Sequence, residues 1–233
     1  MSLTAASRTS GGLLGCVLAL LGGCATQWGH ETLPADVLED MRHWYREAEH
    51  PGAATSLRHG VLDIDTPAGL TLWLTHELVG PVRIDFDATA ISAGGPNDQV
   101  SDLNVFWMAR NTDGTPVLTR RRSGKFTDYD DLQTYYVGLG GNRNTTTRFR
   151  RYVGEPGNRP LLPQHDLSGR PVLLVPNRKQ RITLIADGRH IEYQRDGQPL
   201  FVYDDDAPYT RGWFALRTTF SHLRIENLRV SRP

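Results

Sequence analysis

The stretch ITLIADGRHIEYQRDGQPLFVY, Ile182–Tyr203, decides the fold. Three short runs, Ile182–Ala186, His190–Arg195 and Pro199–Tyr203, are rich in apolar residues, His190–Arg195 alternates polar with apolar ones, and an Asp-Gly pair separates each run from the next. Alternation at period two marks a strand with one buried face. Asp-Gly is a strong signal for a tight hairpin, because the two turn positions require positive φ. The reading is therefore three short antiparallel strands in succession.

Working outward, the same period recurs. Val82, Ile84, Phe86, Ala88 and Ala90 alternate with Arg83, Asp85, Asp87 and Thr89. Leu70, Leu72 and Leu74 alternate with Thr71, Trp73 and Thr75, which predicts one buried and one solvated face. Gly212–Arg217 and His222–Val230 read as a final strand pair. Leu223 and Ile225 differ in parity from Leu228 and Val230, which predicts a β-bulge near Glu226-Asn227. A helical reading survives only at Pro34–Arg42, where Val37, Leu38 and Met41 share a side. Many short strands and almost no helix predict an all-β antiparallel β-sandwich of jelly-roll form. No blade-length repeat supports a propeller; a barrel stays open on patterning alone.

The 233-residue chain carries 26 Lys plus Arg against 26 Asp plus Glu, so no global field favours nucleic acid. Residues 1–23 read as a lipoprotein signal peptide. Arg8 gives the positive region, and Leu13–Leu21 is too short to span a bilayer, which takes ~20 apolar residues. Leu21-Gly22-Gly23-Cys24 resembles a bacterial lipobox, which would attach a lipid at Cys24; the alternative is a plain secretory signal cleaved nearby. Ala25 in place of a retention aspartate points to the outer membrane of a bacterial cell envelope. Residues 24–33 read as a tether and 34–233 as one β-sandwich domain. With Cys24 the only cysteine of that mature chain, neither an intramolecular disulfide nor a cysteine-ligated metal site is available.

The chemistry concentrates in YYVGLGGNRNTTTRFRRY, Tyr135–Tyr152, which packs amides, hydroxyls, guanidinium groups and aromatics without one acidic side chain. As a strand, its odd face holds Phe149 and points to the core, while Asn144, Thr146, Arg148, Arg150 and Tyr152 line a groove. Arginines at alternate positions suit a carboxylate, which the planar fork binds with two parallel bonds. The stretch therefore predicts recognition of an oxygen-rich, acidic polysaccharide or oligosaccharide. Gly138, Gly140 and Gly141 read either as close approach of sugar to backbone or as a turn needing positive φ. Asn104 is assigned to the groove and Trp107, on the opposite face, to the core. Trp73 reads as a stacking platform or as packing beneath a loop. Arg120, Arg121 and Arg122 read as an exposed loop, and His165 as a groove wall or a surface residue. No histidine spacing matches a zinc site, and no cofactor is expected; Asp204-Asp205-Asp206 reads as a structural calcium site or a solvated acidic turn.

The strands that open and close the chain, Trp44–Glu47, Gly60–Ile64, Leu70–Leu74, Gly212–Arg217 and Leu223–Val230, resemble the concanavalin A-like (lectin/glucanase) jelly-roll proteins. Ser101–Met108 more closely resembles the DUF6250 and YesU-like group, over roughly residues 40–231. That resemblance implies a place in bacterial polysaccharide utilisation, notably of pectic glycans. Two functions follow as expectations. One is an enzyme, a lyase acting by β-elimination on uronate-bearing glycans, with Tyr136, Tyr152 or His165 as base or acid; TTRFRRY and YYVGLGG resemble strands of jelly-roll alginate lyases, without their glutamate or a QIH-like segment. The other is a non-catalytic carbohydrate-binding surface lipoprotein. Hydrolysis by two carboxylates has only Asp85 and Asp87 on one face to support it.

Overall fold

The computed structural model describes residues 27–233. Sixteen strands form two sheets. In chain order they are β1 (His30–Glu31), β2 (Trp44–Ala48), β3 (Ala54–Arg58), β4 (Val61–Thr66), β5 (Leu70–Leu74), β6 (Leu78–Val79), β7 (Val82–Ala90) and β8 (Leu103–Asn111). There follow β9 (Leu132–Gly140), β10 (Thr146–Val153), β11 (Asp166–Ser168), β12 (Lys179–Asp187), β13 (His190–Arg195), β14 (Gln198–Asp204), β15 (Arg211–Thr218) and β16 (Ser221–Arg232). The first sheet runs β14-β13-β12-β7-β16-β4-β3, with β1 beside β16; the second runs β11-β10-β9-β8-β15-β5-β2, with β6 beside β15. Every recorded strand pairing is antiparallel. The two sheets stack as a jelly-roll sandwich.

The alternation read from the sequence sets which face each strand buries. Leu62, Ile64, Ile84, Phe86, Ile182, Leu184, Leu223 and Ile225 from the first sheet meet Leu72, Leu74, Val105, Trp107, Val137, Phe149, Phe214 and Leu216 from the second in one core. The bulge falls where the parity slips: the β16–β7 register shifts between Glu226 and Arg229, and Asn227 has φ 54°. Asp196-Gly197 forms the two-residue hairpin loop, with φ 53° and 76°. At the other Asp-Gly pair the turn is displaced by one residue, because Asp187 still pairs with His190.

Four expectations are corrected. Pro34–Arg42 is not one helix but turns followed by a 3₁₀ segment at Met41–His43. The tether does not extend to residue 33, since His30 and Glu31 pair with Arg232 and Ser231. β5 has no solvated face, for Thr71 and Trp73 are as buried as the leucines. Asp85 and Asp87 lie on the first sheet's outer face and are already engaged there: Asp85 binds Arg83 at 2.7 Å and Thr183 at 2.6 Å, and Asp87 accepts from Asn227 at 2.8 Å. The expected signal peptide at residues 1–23, with Cys24 and Ala25, lies outside the described residues. Among the described residues no helix is long and apolar enough to cross a membrane.

Candidate functional site

The second sheet has two differently furnished faces. Its inner face is core. Across its outer face, register aligns two rungs of side chains that point the same way. One runs Arg148, Gly138, Asn104, Arg217, Thr71, Glu47 from β10 to β2. The next runs Arg150, Tyr136, Phe106, Ala215, Trp73, Tyr45.

The segment joining β8 to β9 covers part of this face. Val117 and Tyr129 pack there with Trp73, Phe106, Tyr136 and Tyr152 in a second apolar cluster, with Phe126 against it. Glu47 holds the segment down. Its carboxylate accepts from Trp73 Nε1, Tyr129 Oη and the Arg122 amide, each at 2.9 Å. Trp73 is thus packing beneath a loop and not a platform for sugar. Arg122 is also buried, against expectation: its guanidinium reaches Asp131 and Asn111 at 2.9 Å.

What remains open is a groove of about 830 Å³. Its floor is Asn104, Tyr136, Gly138 and Arg217; Thr146, Arg148 and Arg150 line it from β10, with Asn142, Arg143, Phe126 and Arg159 completing the lining. Phe126 is held between two guanidinium groups, Arg159 at 4.4 Å and Arg217 at 4.6 Å from its ring centre. Such cation–π contacts fix the wall; Arg159 is paired with Asp130 at 2.6 Å, while Arg217 has no ion pair among the described residues. Gly138 is explained by its neighbour: a Cβ there would lie 2.4 Å from Tyr136 Oη and 2.9 Å from Asn104 Oδ1. Its missing side chain makes room for the phenol, which therefore lies across the floor.

Tyr136 sits between charges. Burial pushes its phenol well above the ordinary range, with Tyr152 and Asp102 adding to the effect and Arg217 and Arg150 opposing it. At neutral pH it is a proton donor, not a base. Asp102 lines the same groove, half-buried, at φ 51°. Burial also pushes its carboxyl above the aspartate range, against the pull of Arg217 and bonds from Ser101 and Asn104. An aspartate with a raised pKa weakens the fold once ionised. The penalty is absent below the ordinary value of 3.8, grows as pH rises to the folded-state value and stays constant above it. Asp102→Asn keeps the shape and tolerates positive φ, so it is expected to melt higher than wild type at pH 7 and equally at pH 3. A gain that persists at pH 3 would assign it to backbone conformation instead.

The expected residues divide. Asn104, Thr146, Arg148, Arg150 and Tyr136 line the groove. The fork expected to be free on Arg148 already binds Asp166, at 2.8 and 3.2 Å, and Arg150 donates to the Arg159 carbonyl. Asn144 does not line it. The chain turns through left-handed conformations at Asn142, Arg143 and Asn144, and both amide atoms of Asn144 bond the backbone of Leu174 at 3.0 and 2.9 Å. Tyr152 is fully buried in the aromatic cluster, its hydroxyl without a partner. His165 packs edge-on against Phe149 at 4.8 Å, on the core side of β10, and burial lowers its pKa. Neither reaches the groove, so neither is placed to act as acid or base there. Trp107 is core. Among the described residues no group of three or more His, Cys, Asp or Glu is placed to hold a metal. Asp204 and Asp206 pair with Arg189, while Asp205 is buried against Tyr135 at 2.6 Å and Arg151 at 2.7 Å.

Asp102, Arg217, Phe126 and Arg159 were not singled out as site residues by the sequence. The signal for Arg217 was present: it ends a strand, shares parity with Trp213 and Ala215, and is a charge in an otherwise apolar run.

The fold has many structural neighbours. A protein of unknown function with galectin-like fold from Bacillus subtilis matches with a TM-score of 0.68 and 16% identity, covering 89% of this chain and 98% of its own. The carbohydrate binding module CBM66 from Bacillus subtilis matches at 0.54 and 10%, covering 81% and 95%. The VIP36 exoplasmic/lumenal domain, in a form bound to Ca²⁺ and Man3GlcNAc, matches at 0.54 and 8%, covering 83% and 85%. A comparison with curated proteins gives no match. The family model described as "Domain of unknown function (DUF6250)" matches residues 64–228, which span both sheets and every residue of the groove floor, and the chain therefore belongs to the DUF6250 family.

Proposed function

We propose that this protein is a carbohydrate-recognition domain whose groove binds an acidic, pectic-type polysaccharide or oligosaccharide. The observation that carries this reading is the rung Arg148–Gly138–Asn104–Arg217, which sets cations, an amide and an open backbone side by side on a groove floor. Arg143 in the lining makes no hydrogen bond or ion pair among the described residues, so it too is available to an anion. The like-folded carbohydrate binding module and the oligosaccharide-bound lumenal domain support the sugar, though not its identity.

Cleavage by β-elimination is a second reading, favoured by one observation: Asp102 and Tyr136 sit in the same groove within electrostatic reach of each other. In that reaction Arg217 offsets the uronate carboxylate and ionised Asp102 takes the C5 proton. The C4–O4 bond breaks as the C4–C5 double bond forms, and Tyr136 protonates the departing oxygen. Solvent restores both protonation states.

One experiment separates them. The purified mature protein is incubated with acidic glycans, including rhamnogalacturonan and galacturonate oligomers, and with neutral counterparts. Binding is followed with absorbance of the unsaturated uronate and with reducing ends. Recognition alone predicts acidic-selective binding with neither chemical signal; a growing unsaturated product establishes the lyase; equal affinity for neutral sugars contradicts both.

The lipobox-like segment supports placing this domain on the bacterial outer membrane through a lipid at Cys24. Cys24→Ser is then expected to move the protein from the membrane to the soluble fraction, and continued membrane association would contradict the anchor.

A further inference from the structure

The groove is closed at one end. Toward β5 and β2 the covering segment lies directly on the backbone. A Cβ on Gly124 would sit 2.6 Å from the Glu49 amide, and one on Gly69 would sit 2.3 Å from the Gly124 carbonyl. Arg217 donates to that same carbonyl at 3.2 Å. Glu47 fixes the segment from beneath through the three bonds described above. No sugar ring passes between surfaces this close. Away from that wall the groove lining continues to Thr146 and Arg148 of β10.

Unused bonding capacity collects on the floor before that closed end. Asn104 and Arg217 face each other in register, are 2% and 4% exposed, and line the groove. Asn104 Oδ1 and Arg217 Nε nevertheless have no hydrogen-bond partner. Buried polar atoms are nearly always paired, so an unpaired acceptor and an unpaired donor on two groove-lining side chains in register mark a place for a ligand group that both donates and accepts a hydrogen bond. A sugar hydroxyl does both. The groove volume of about 830 Å³ falls in the ~300–1,000 Å³ range of pockets that enclose one compact ligand.

We propose that the groove recognises a chain end: the terminal residue of the glycan lies against Asn104 and Arg217, and the remaining chain leaves over Thr146 and Arg148. This rests on the sugar-binding reading above and adds to it the mode of engagement. An internal-chain binder needs a groove open at both ends, and this one has a wall.

The test uses α-1,4-linked galacturonate oligomers from two to eight residues, and a long galacturonan of known chain concentration, titrated calorimetrically into the mature protein. Chain-end recognition predicts affinity that changes less than about threefold beyond the trimer and one protein bound per long chain. Affinity that climbs steadily with length, with several proteins per chain, would overturn the proposal while leaving acidic-sugar binding intact. No binding at any length would instead remove the underlying reading, and the chain-end proposal with it.

Discussion

Arg217→Met is expected to weaken binding of an acidic oligosaccharide about 100-fold with the fold retained. Arg217 is the most buried cation on the groove floor, and its Nε has no partner to share. Hydrogen bonds to charged groups contribute about 1.5–3 kcal/mol each, and two orders of magnitude correspond to about 2.8 kcal/mol. Arg148→Ala is expected to cost less, because Arg148 must first give up the Asp166 carboxylate that neutralises it. Arg217 also steadies Phe126 and the Gly124 carbonyl. Arg217→Lys therefore serves as the companion: it keeps the charge but loses the fork, and partial recovery assigns the loss to the anion. Methionine binding as tightly as arginine, measured calorimetrically on a protein of unchanged melting temperature, would remove Arg217 from the site.

Glu47→Ala is expected to destabilise the protein by about 3 kcal/mol. The substitution strands two buried donors, on Trp73 and Tyr129, and the partly buried Arg122 amide, and each buried unsatisfied group costs about 1–3 kcal/mol. For a domain of this size that corresponds to a fall in melting temperature of roughly 6–12 °C. Glu47→Gln retains one oxygen for Trp73 and Tyr129 but turns an N–H toward the Arg122 amide, so a loss of about 1 kcal/mol is expected. Because Glu47 pins the segment that walls the groove, the alanine variant is also expected to expose Trp73 and shift tryptophan emission to the red. A melting temperature within about 2 °C of wild type would mean that the segment is held by its apolar contacts alone.

Both variants touch residues whose importance was unevenly legible in the sequence. Alternation at period two exposed the sheets, and the parity slip between Ile225 and Leu228 located the bulge, because a strand's side-chain period is fixed by its pleat. The same rule extended too far at Asn144. There Asn142–Asn144 is a left-handed turn, and parity has no meaning across a turn. Trp73 and Thr71 alternate with leucines as a solvated face would, and nothing local announces that a segment some fifty residues later covers them. Val117, Phe126 and Tyr129 follow no period, because a loop's apolar residues answer to the surface beneath and not to their own backbone. Arg122 was read with Arg120 as exposed since charge is rarely buried; here it is buried because Asp131, Asn111 and two carbonyls satisfy it. His165 followed a proline-containing loop and suggested a groove wall, but aromatic neighbours from β10 and β14 hold it in the core. Asp102 lies within the Ser101–Met108 stretch, but nothing local marks it as a site residue, and its significance comes from Arg217 and Tyr136, far away in the chain.

The central claim is that the groove on the second sheet, and not another surface, takes the acidic glycan. Amide chemical-shift mapping with trigalacturonate tests it most directly. The account predicts that the largest shifts fall on Asn104, Gly138, Arg148 and Arg217, with Asp63 and Arg224 on the first sheet's outer face unmoved. Saturable binding that shifts Asp63 and Arg224 while leaving those four amides in place would contradict it.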